Sequence, residues 1–470
     1  MLFFEPFFVI FFGAFYGLYL LAGRTFARRS ALLLASILFY AWGEPTFVLI
    51  LSASALIDYV LSFHLAEPTP LNKRRWALGI GLVTNLGILA IYKYADFAIT
   101  NLDSLLSPFG GHRLPLLHLA LPIGVSFVVF EKITYLVDTW RGVSERAARF
   151  SDYALFVFFF PKLLAGPILK YHEMREQVAK PASVAWSDFA EGFLRFARGI
   201  GRKLLIAEPL GGFVGKVFEQ DPANLTSGQA WLALACFTVQ IYFDFAGYSD
   251  MAIGLARMMG FRLRENFDAP YISRSMTEFW RRWHISLTTW IRDYLYVPLG
   301  GNRAGELRTY LNLWICFLAS GLWHGASWNF VLWGAYNGLF LTLDRIFLSR
   351  WLDRSGALVA RAATLFIVMM GWAIFRAEKP GTLLPFMGSL FGSGAGSAAI
   401  ELPPDMPLAL LCGCVISLFP ALPAYSRLVR QYERLTWMRI GVGVVLVLVY
   451  VIALARAFGM PFQPFIYFRF

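Results

Sequence analysis

Six histidines occur in the 470 residues, and two of them sit where side chains can do chemistry. His324 lies in Trp314-Ile-Cys-Phe-Leu-Ala-Ser-Gly-Leu-Trp-His-Gly-Ala-Ser-Trp-Asn329, and its nearest charged neighbours in the chain are Arg308 and Asp344. An ionisable group deep in an apolar stretch is costly and marks a functional site by default. A neutral imidazole there can take the proton of a hydroxyl, which is general-base work. Trp, Gly and polar neighbours line a site better than they fill a core. The plainer alternative is a core histidine that only bridges two helices. Gly321 and Gly325 flank the ring and predict close backbone approach.

His284 lies in Glu278-Phe-Trp-Arg-Arg-Trp-His-Ile-Ser-Leu-Thr-Thr-Trp-Ile-Arg-Asp-Tyr294. On one continuous helix, Trp280, His284 and Thr288 share a face, and Glu278 can pair with Arg281 and Arg282. The stretch is too charged to span lipid. It is either an amphipathic surface helix or the lining of an enclosed polar site. A third stripe, Gln240, Asp244 and Tyr248, repeats every four residues in an otherwise apolar run. Carboxylates at membrane depth need partners. Arg281, Arg282 and Arg292 are the expected partners of Asp244 and Asp250, in a network with a structural role.

The remaining histidines have plainer settings. His64, His118 and His172 sit at span ends or loop borders, and His112 lies in a Gly-Gly-His-Arg loop. Cys236, Cys316, Cys412 and Cys414 occupy apolar stretches without CxxC spacing. No nucleotide loop, HExxH site or GxSxG elbow occurs. Two scattered histidines and a few carboxylates do not make a metal site.

The elements that must position these residues are membrane helices. Hydrophobic residues make up 58% and charged residues 15% of the chain, where an average soluble domain carries roughly 25% charge. That is too little polar surface for several soluble cores. Pro6–Ala22, Trp76–Tyr94, Ala357–Ile374, Met406–Leu418 and Ile440–Ala455 read as spans or near-spans. Ala31–Leu65 is too long for one helix, and Gly43-Glu44-Pro45 divides it. The first apolar run lacks the marks of a cleavable signal and reads as a membrane helix. Between Leu119 and Phe347 the runs are broken by Pro122-Ile-Gly124, Pro161–Pro167 and Pro298–Asn302. Broken helices at membrane depth are tolerated only where protein or a cavity surrounds them.

Lysines and arginines number 42 against 30 acidic residues, a net charge of +12. In a polytopic membrane protein this excess sets topology and meets anionic lipids, and no nucleic acid is expected. Basic residues follow the first span (Arg24, Arg28, Arg29), the third (Lys73, Arg74, Arg75) and the stretch starting near Leu119 (Arg141, Arg146, Arg149). The positive-inside rule then places the N-terminus outside. Arg195, Arg198, Arg202 and Lys203 form one helical face opposite Leu194, Phe196, Ile200, Leu204 and Leu205. That face is expected to lie on anionic lipid. The sharper alternative is docking of the phosphates of coenzyme A.

Several ordered motifs together resemble the membrane-bound O-acyltransferases, and among them the bacterial alginate O-acetyltransferase branch. They are Leu121–Phe127, Phe160-Pro-Lys-Leu-Leu-Ala-Gly-Pro167, Tyr242-Phe-Asp-Phe-Ala-Gly-Tyr-Ser-Asp-Met-Ala-Ile-Gly254, Glu265-Asn-Phe-Asp-Ala-Pro-Tyr271, Glu278–Leu287, Arg292-Asp-Tyr294, Gly300-Gly-Asn-Arg303, Gly321-Leu-Trp-His-Gly325 and the ending Pro464–Phe470. The resemblance implies an all-α polytopic membrane fold of about eleven or more transmembrane and re-entrant helices around a central funnel. It implies one membrane-embedded domain over 1–470 with 119–347 as catalytic core, in a bacterial inner membrane.

The resemblance makes His324 and His284 the catalytic residues. With it we expect Asp244, Tyr248, Trp280, Arg281, Arg282, Arg292, Asn302 and Trp323 to bind substrate. The implied reaction moves an acetyl group from a cytoplasmic thioester, acetyl-CoA, toward hydroxyls of an exported polysaccharide such as alginate, through a periplasmic acetyltransferase partner. No tightly bound cofactor is expected. Lys162 and Arg469 depart from the pattern, at positions assigned to partner contacts. Alternatives are D-alanyl or other acyl transfer to a cell-wall polymer, a transporter of the acyl donor, and a scaffold for a periplasmic complex.

Overall fold

The computed structural model describes residues 2–22, 25–109, 114–181, 183–303, 305–377, 380–394 and 396–459. Arg24, His112 and the ending Pro464–Phe470 with Arg469 lie outside the described residues. Among the described residues every regular element is helical. Four helices among the described residues are long and apolar enough to cross a membrane: Leu71–Phe109, Ser227–Met258, Ala357–Arg376 and Thr436–Gly459. A fifth span results if Met406–Ala421 and Pro423–Arg434, bent by 88°, are counted as one. Pro6–Leu21 and Phe47–Ser62 are apolar but have 16 residues each. Such a helix rises about 24 Å, against a hydrocarbon core of roughly 30 Å.

The break expected at Gly43-Glu44-Pro45 is present. One helix ends at Gly43 and the next starts at Phe47. The freed Glu44 carboxylate accepts from the Ile123 backbone N–H at 2.9 Å, and the Tyr40 hydroxyl donates to the Ile123 carbonyl at 3.0 Å. The first break thus holds the second one in place. Gly124 there has φ +77, and a Cβ would lie 2.3 Å from the Leu163 carbonyl oxygen, so only glycine fits.

The helices group into two compact units. The first comprises residues 1–193 and 252–264, the second 194–251 and 265–470. In the first unit each of the three basic segments is tied to a neighbouring element. Arg29 pairs with Asp152 at 2.8 Å, Arg74 donates to the Trp140 carbonyl at 2.8 Å, and Arg146 stacks over Phe63 at 4.1 Å. Its interior also holds the ion pairs of Lys132 and Lys162. Lys132 lies 3.3 Å from Asp58, which also accepts from Asn85 and Tyr153 at 2.9 Å each. Lys162 pairs with Glu131 and is 1% exposed, so it stabilises this core and does not meet a partner as the sequence reading had it.

The second unit holds both key histidines. Its tightest element is the hairpin of Glu306–His324 and Trp328–Leu343. A Cβ at Gly321 would sit 2.1 Å from the Phe330 carbonyl oxygen, and one at Gly334 2.4 Å from that of Phe317. The glycines bring the two backbones into contact, as the residues flanking His324 predict.

Candidate active site

His324 is the last residue of the Glu306–His324 helix and is 4% exposed. Aromatic rings enclose it. Trp323, Trp333 and Phe375 present ring centroids at 5.0, 5.0 and 5.4 Å, all edge to face. The Trp323 ring also lies 6.0 Å from that of His284, so one indole touches both histidines.

The chain around His284 differs from the expected single helix. Met276–Arg282 and Ile285–Ile291 are separate short helices, and His284 lies in the turn between them with φ +45. The left-handed region is uncommon outside glycine, and histidine is among the residues that enter it. The Trp280, His284 and Thr288 face therefore does not exist as a helical stripe. His284 itself is completely buried, with the edge of Phe245 at 4.6 Å. Burial pushes its imidazole down to about 3, so the ring is neutral at physiological pH.

The turn is held from outside by Asn266, a residue the sequence reading quoted in a motif but did not assign. Its side-chain oxygen faces His284 Nδ1 at 3.2 Å and accepts from the Ser286 N–H at 3.2 Å and hydroxyl at 2.9 Å. Its backbone carbonyl accepts from the Ile285 N–H at 3.0 Å, and its amide nitrogen donates to Ser249 at 3.1 Å. At the other end, the Asp344 carboxylate accepts from the Thr277 N–H at 2.8 Å, capping Met276–Arg282. Burial pushes that carboxyl up, against the hydrogen bonds it accepts.

A cavity of about 470 Å³, within the range of small-molecule sites, is walled by chain neighbours of the histidines rather than by the histidine rings themselves. Ile285, next to His284, and Ser320, one turn before His324, are in its wall. Of the expected substrate residues, Trp280, Arg281 and Arg292 line it. Arg292 is paired with Asp293 at 2.7 Å, and Arg281 is exposed. Trp280 packs on Phe317 at 5.1 Å and Trp333 at 5.6 Å, linking the cavity wall to the rings around His324.

Other expected residues fall elsewhere. Arg282 pairs with Glu278 and Asp268. Asn302 is exposed on the turn after the short helices. Tyr248 is fully buried on Ser227–Met258. Asp244 is held by Lys203 at 2.7 Å, which also binds Glu208 at 2.8 Å.

The expected pairing of Asp244 and Asp250 with Arg281, Arg282 and Arg292 is thus corrected. Asp250 is bound by Arg195, Arg198 and Arg202 at 2.6, 2.9 and 2.7 Å. The basic face expected on lipid turns inward onto this carboxylate. The reason is helix proximity: a Cβ at Gly199 would lie 2.5 Å from the Gly247 carbonyl oxygen. At that separation arginines spaced three and four apart all reach one aspartate.

Comparison with known proteins decides the family. Residues 143–375 match the membrane-bound O-acyltransferase family, MBOAT. The probable alginate O-acetylase AlgI of Pseudomonas putida is 37% identical, over 99% of this chain and 99% of its own length. The chain belongs to the membrane-bound O-acyltransferases. The peptidoglycan O-acetyltransferase of Helicobacter pylori is 34% identical over 77% of this chain and 73% of its own. The teichoic acid D-alanyltransferase of Bacillus subtilis is 26% identical over 54% of this chain and 68% of its own. The chain is accordingly a membrane acyltransferase, and the matched region contains both histidines and the cavity.

Proposed function

We propose that the protein transfers an acetyl group from a cytoplasmic thioester, acetyl-CoA, toward hydroxyls of an exported polysaccharide such as alginate. The observation that carries this reading is the pair of buried histidines bridged by Trp323, with a cavity walled by the neighbouring Ile285 and Ser320. The similarity to alginate and peptidoglycan O-acetylating proteins over most of the chain supports acetyl as the group moved. The D-alanyl relative matches over a smaller share.

In the proposed reaction His324 takes the proton of the attacking hydroxyl as its oxygen bonds to the acyl carbon. The carbon–sulfur bond then breaks, and the imidazolium returns the proton to the departing thiolate. The products are the ester and the free thiol. His284 orients the acceptor or polarises the thioester carbonyl. Arg281 and Arg292 at the cavity wall suit the phosphates of the donor. A periplasmic transferase would receive the acetyl group outside, in a fold of about eleven or more transmembrane and re-entrant helices around a central funnel. Anionic lipids would meet Arg427, Arg430 and Arg434, which lie on one side of the helix Pro423–Arg434 with Tyr425, Leu428 and Tyr432 opposite.

The test is His324→Ala in a correctly inserted protein. Transfer from radiolabelled acetyl-CoA, and polysaccharide acetylation in cells, should fall at least about 10²-fold. Unchanged acetylation would remove His324 from the mechanism. A pure transporter would still move donor in that variant.

A further inference from the structure

The clamp on His284 has a chemical consequence for the reaction proposed above. A neutral imidazole carries one proton, and the nitrogen that holds it is set by what the other groups demand. The side-chain amide of Asn266 has a fixed orientation. Its oxygen accepts from the Ser286 backbone N–H, which can only donate, and its nitrogen faces the Ser249 hydroxyl. The flipped amide would set two N–H donors against each other. His284 Nδ1 therefore faces an acceptor, 3.2 Å away, and must bear the proton. The Ser286 hydroxyl does not compete for Nδ1, because it is 3.5 Å from that nitrogen and 2.9 Å from the amide oxygen.

We propose that Asn266 is a positioning residue of the acyl transfer: it holds His284 as the Nδ1–H tautomer, so that Nε2 meets the substrate as a hydrogen-bond acceptor. Of the two roles open to His284, this selects one. A nitrogen with a lone pair and no proton cannot donate to a thioester carbonyl, so His284 does not polarise it. It receives an O–H or N–H of the bound substrate and orients that substrate for His324. The same Asn266 oxygen and carbonyl bind Ser286 and Ile285, which keeps the left-handed turn in place. Tautomer and ring position are thus set by one residue. The inference rests on the catalytic reading of His284.

The experiment uses the full chain in lipid, labelled with ¹⁵N and ¹³C on histidine. There are six histidines, and His284→Asn identifies the signal by its loss. Asparagine also tolerates the left-handed turn and keeps a donor toward Asn266 while removing Nε2. Native His284 should show a protonated Nδ1 and a bare Nε2. An Nε2–H signal in the native protein overturns the inference, whatever the activity.

In kinetics, Asn266→Ala should lower kcat about 10²-fold with little change in KM, the mark of a lost orientation. Asn266→Asp keeps acceptor oxygens toward Nδ1 and should recover about tenfold of that loss. Equal loss in both variants, with the tautomer unchanged in each, overturns the positioning role. Full transfer by His284→Asn beside an inactive His324→Ala would instead overturn the catalytic reading of His284 on which the inference stands.

Discussion

Asp250 holds three guanidinium groups at once, and its removal would leave them facing one another in a largely buried place. Removing one member of a buried ion network costs about 3–5 kcal/mol, because the remaining charges lose their partner. Asp250→Ala should therefore unfold at a clearly lower temperature in detergent, or fail to accumulate. Arg282→Ala breaks contacts to Asp268 and Glu278, which are 70% and 33% exposed. Exposed pairs contribute about 0–1 kcal/mol, so this variant should keep the native unfolding temperature. Equal losses in the two variants would contradict the assignment of Asp250 as a buried hub. The residue scale also shows where spacing misleads. The arginines nearest to Asp250 in motif order were expected as its partners, yet those on a different helix reach it. Sequence order between Tyr242 and Asp293 carries no information on which helix lies against Ser227–Met258.

Helix contact is set by glycines, and those positions are unequal. At Gly321 a methyl group would meet the backbone of the facing helix at 2.1 Å. A backbone carbonyl cannot rotate away as a flexible side chain can, so Gly321→Ala must separate the hairpin. Overpacking of this kind costs about 1–3 kcal/mol. His324 is three residues further on the same helix, and a displacement of about 1 Å at a reacting group can cost 10²-fold in rate. We expect Gly321→Ala to lose most acetyl transfer while still inserting in the membrane. Gly79, with nothing within 4 Å of a Cβ, provides the contrast. Gly79→Ala should preserve activity and stabilise its helix by up to about 1 kcal/mol. If both variants behave alike, the close approach at Gly321 is not what holds His324 in place. The close backbone approach was readable in Gly-Leu-Trp-His-Gly, because it needs glycine. The break at His284 was not, since Phe-Trp-Arg-Arg-Trp-His-Ile-Ser-Leu carries no glycine or proline to announce a turn. Asn266, eighteen positions earlier, imposes it from outside.

For the whole molecule the positive-inside rule predicts an orientation. Three basic segments are anchored within the first unit through Arg29, Arg74 and Arg146, and the rule predicts that all three face the cytoplasm. The N-terminus is then predicted to lie outside. An epitope tag at Met1 should react in spheroplasts without permeabilisation, and reaction only after permeabilisation would reverse the assignment. The apolar content sufficed to read a membrane protein, since 58% hydrophobic residues cannot be covered by 15% charge. The ordered motifs sufficed to read an acyltransferase, since they preserve side chains a family needs. The broken central runs pointed to the region of the candidate site, because such backbone survives at membrane depth only inside protein. Partnership was decided by tertiary structure alone. Lys162 turned from a partner contact into a core ion pair, the basic face of Arg195 to Lys203 turned inward, and Asn266 emerged as the holder of His284. Each of these depends on which side chains lie within about 3 Å across helices distant in the chain, a distance that composition and periodicity along one strand of sequence do not contain.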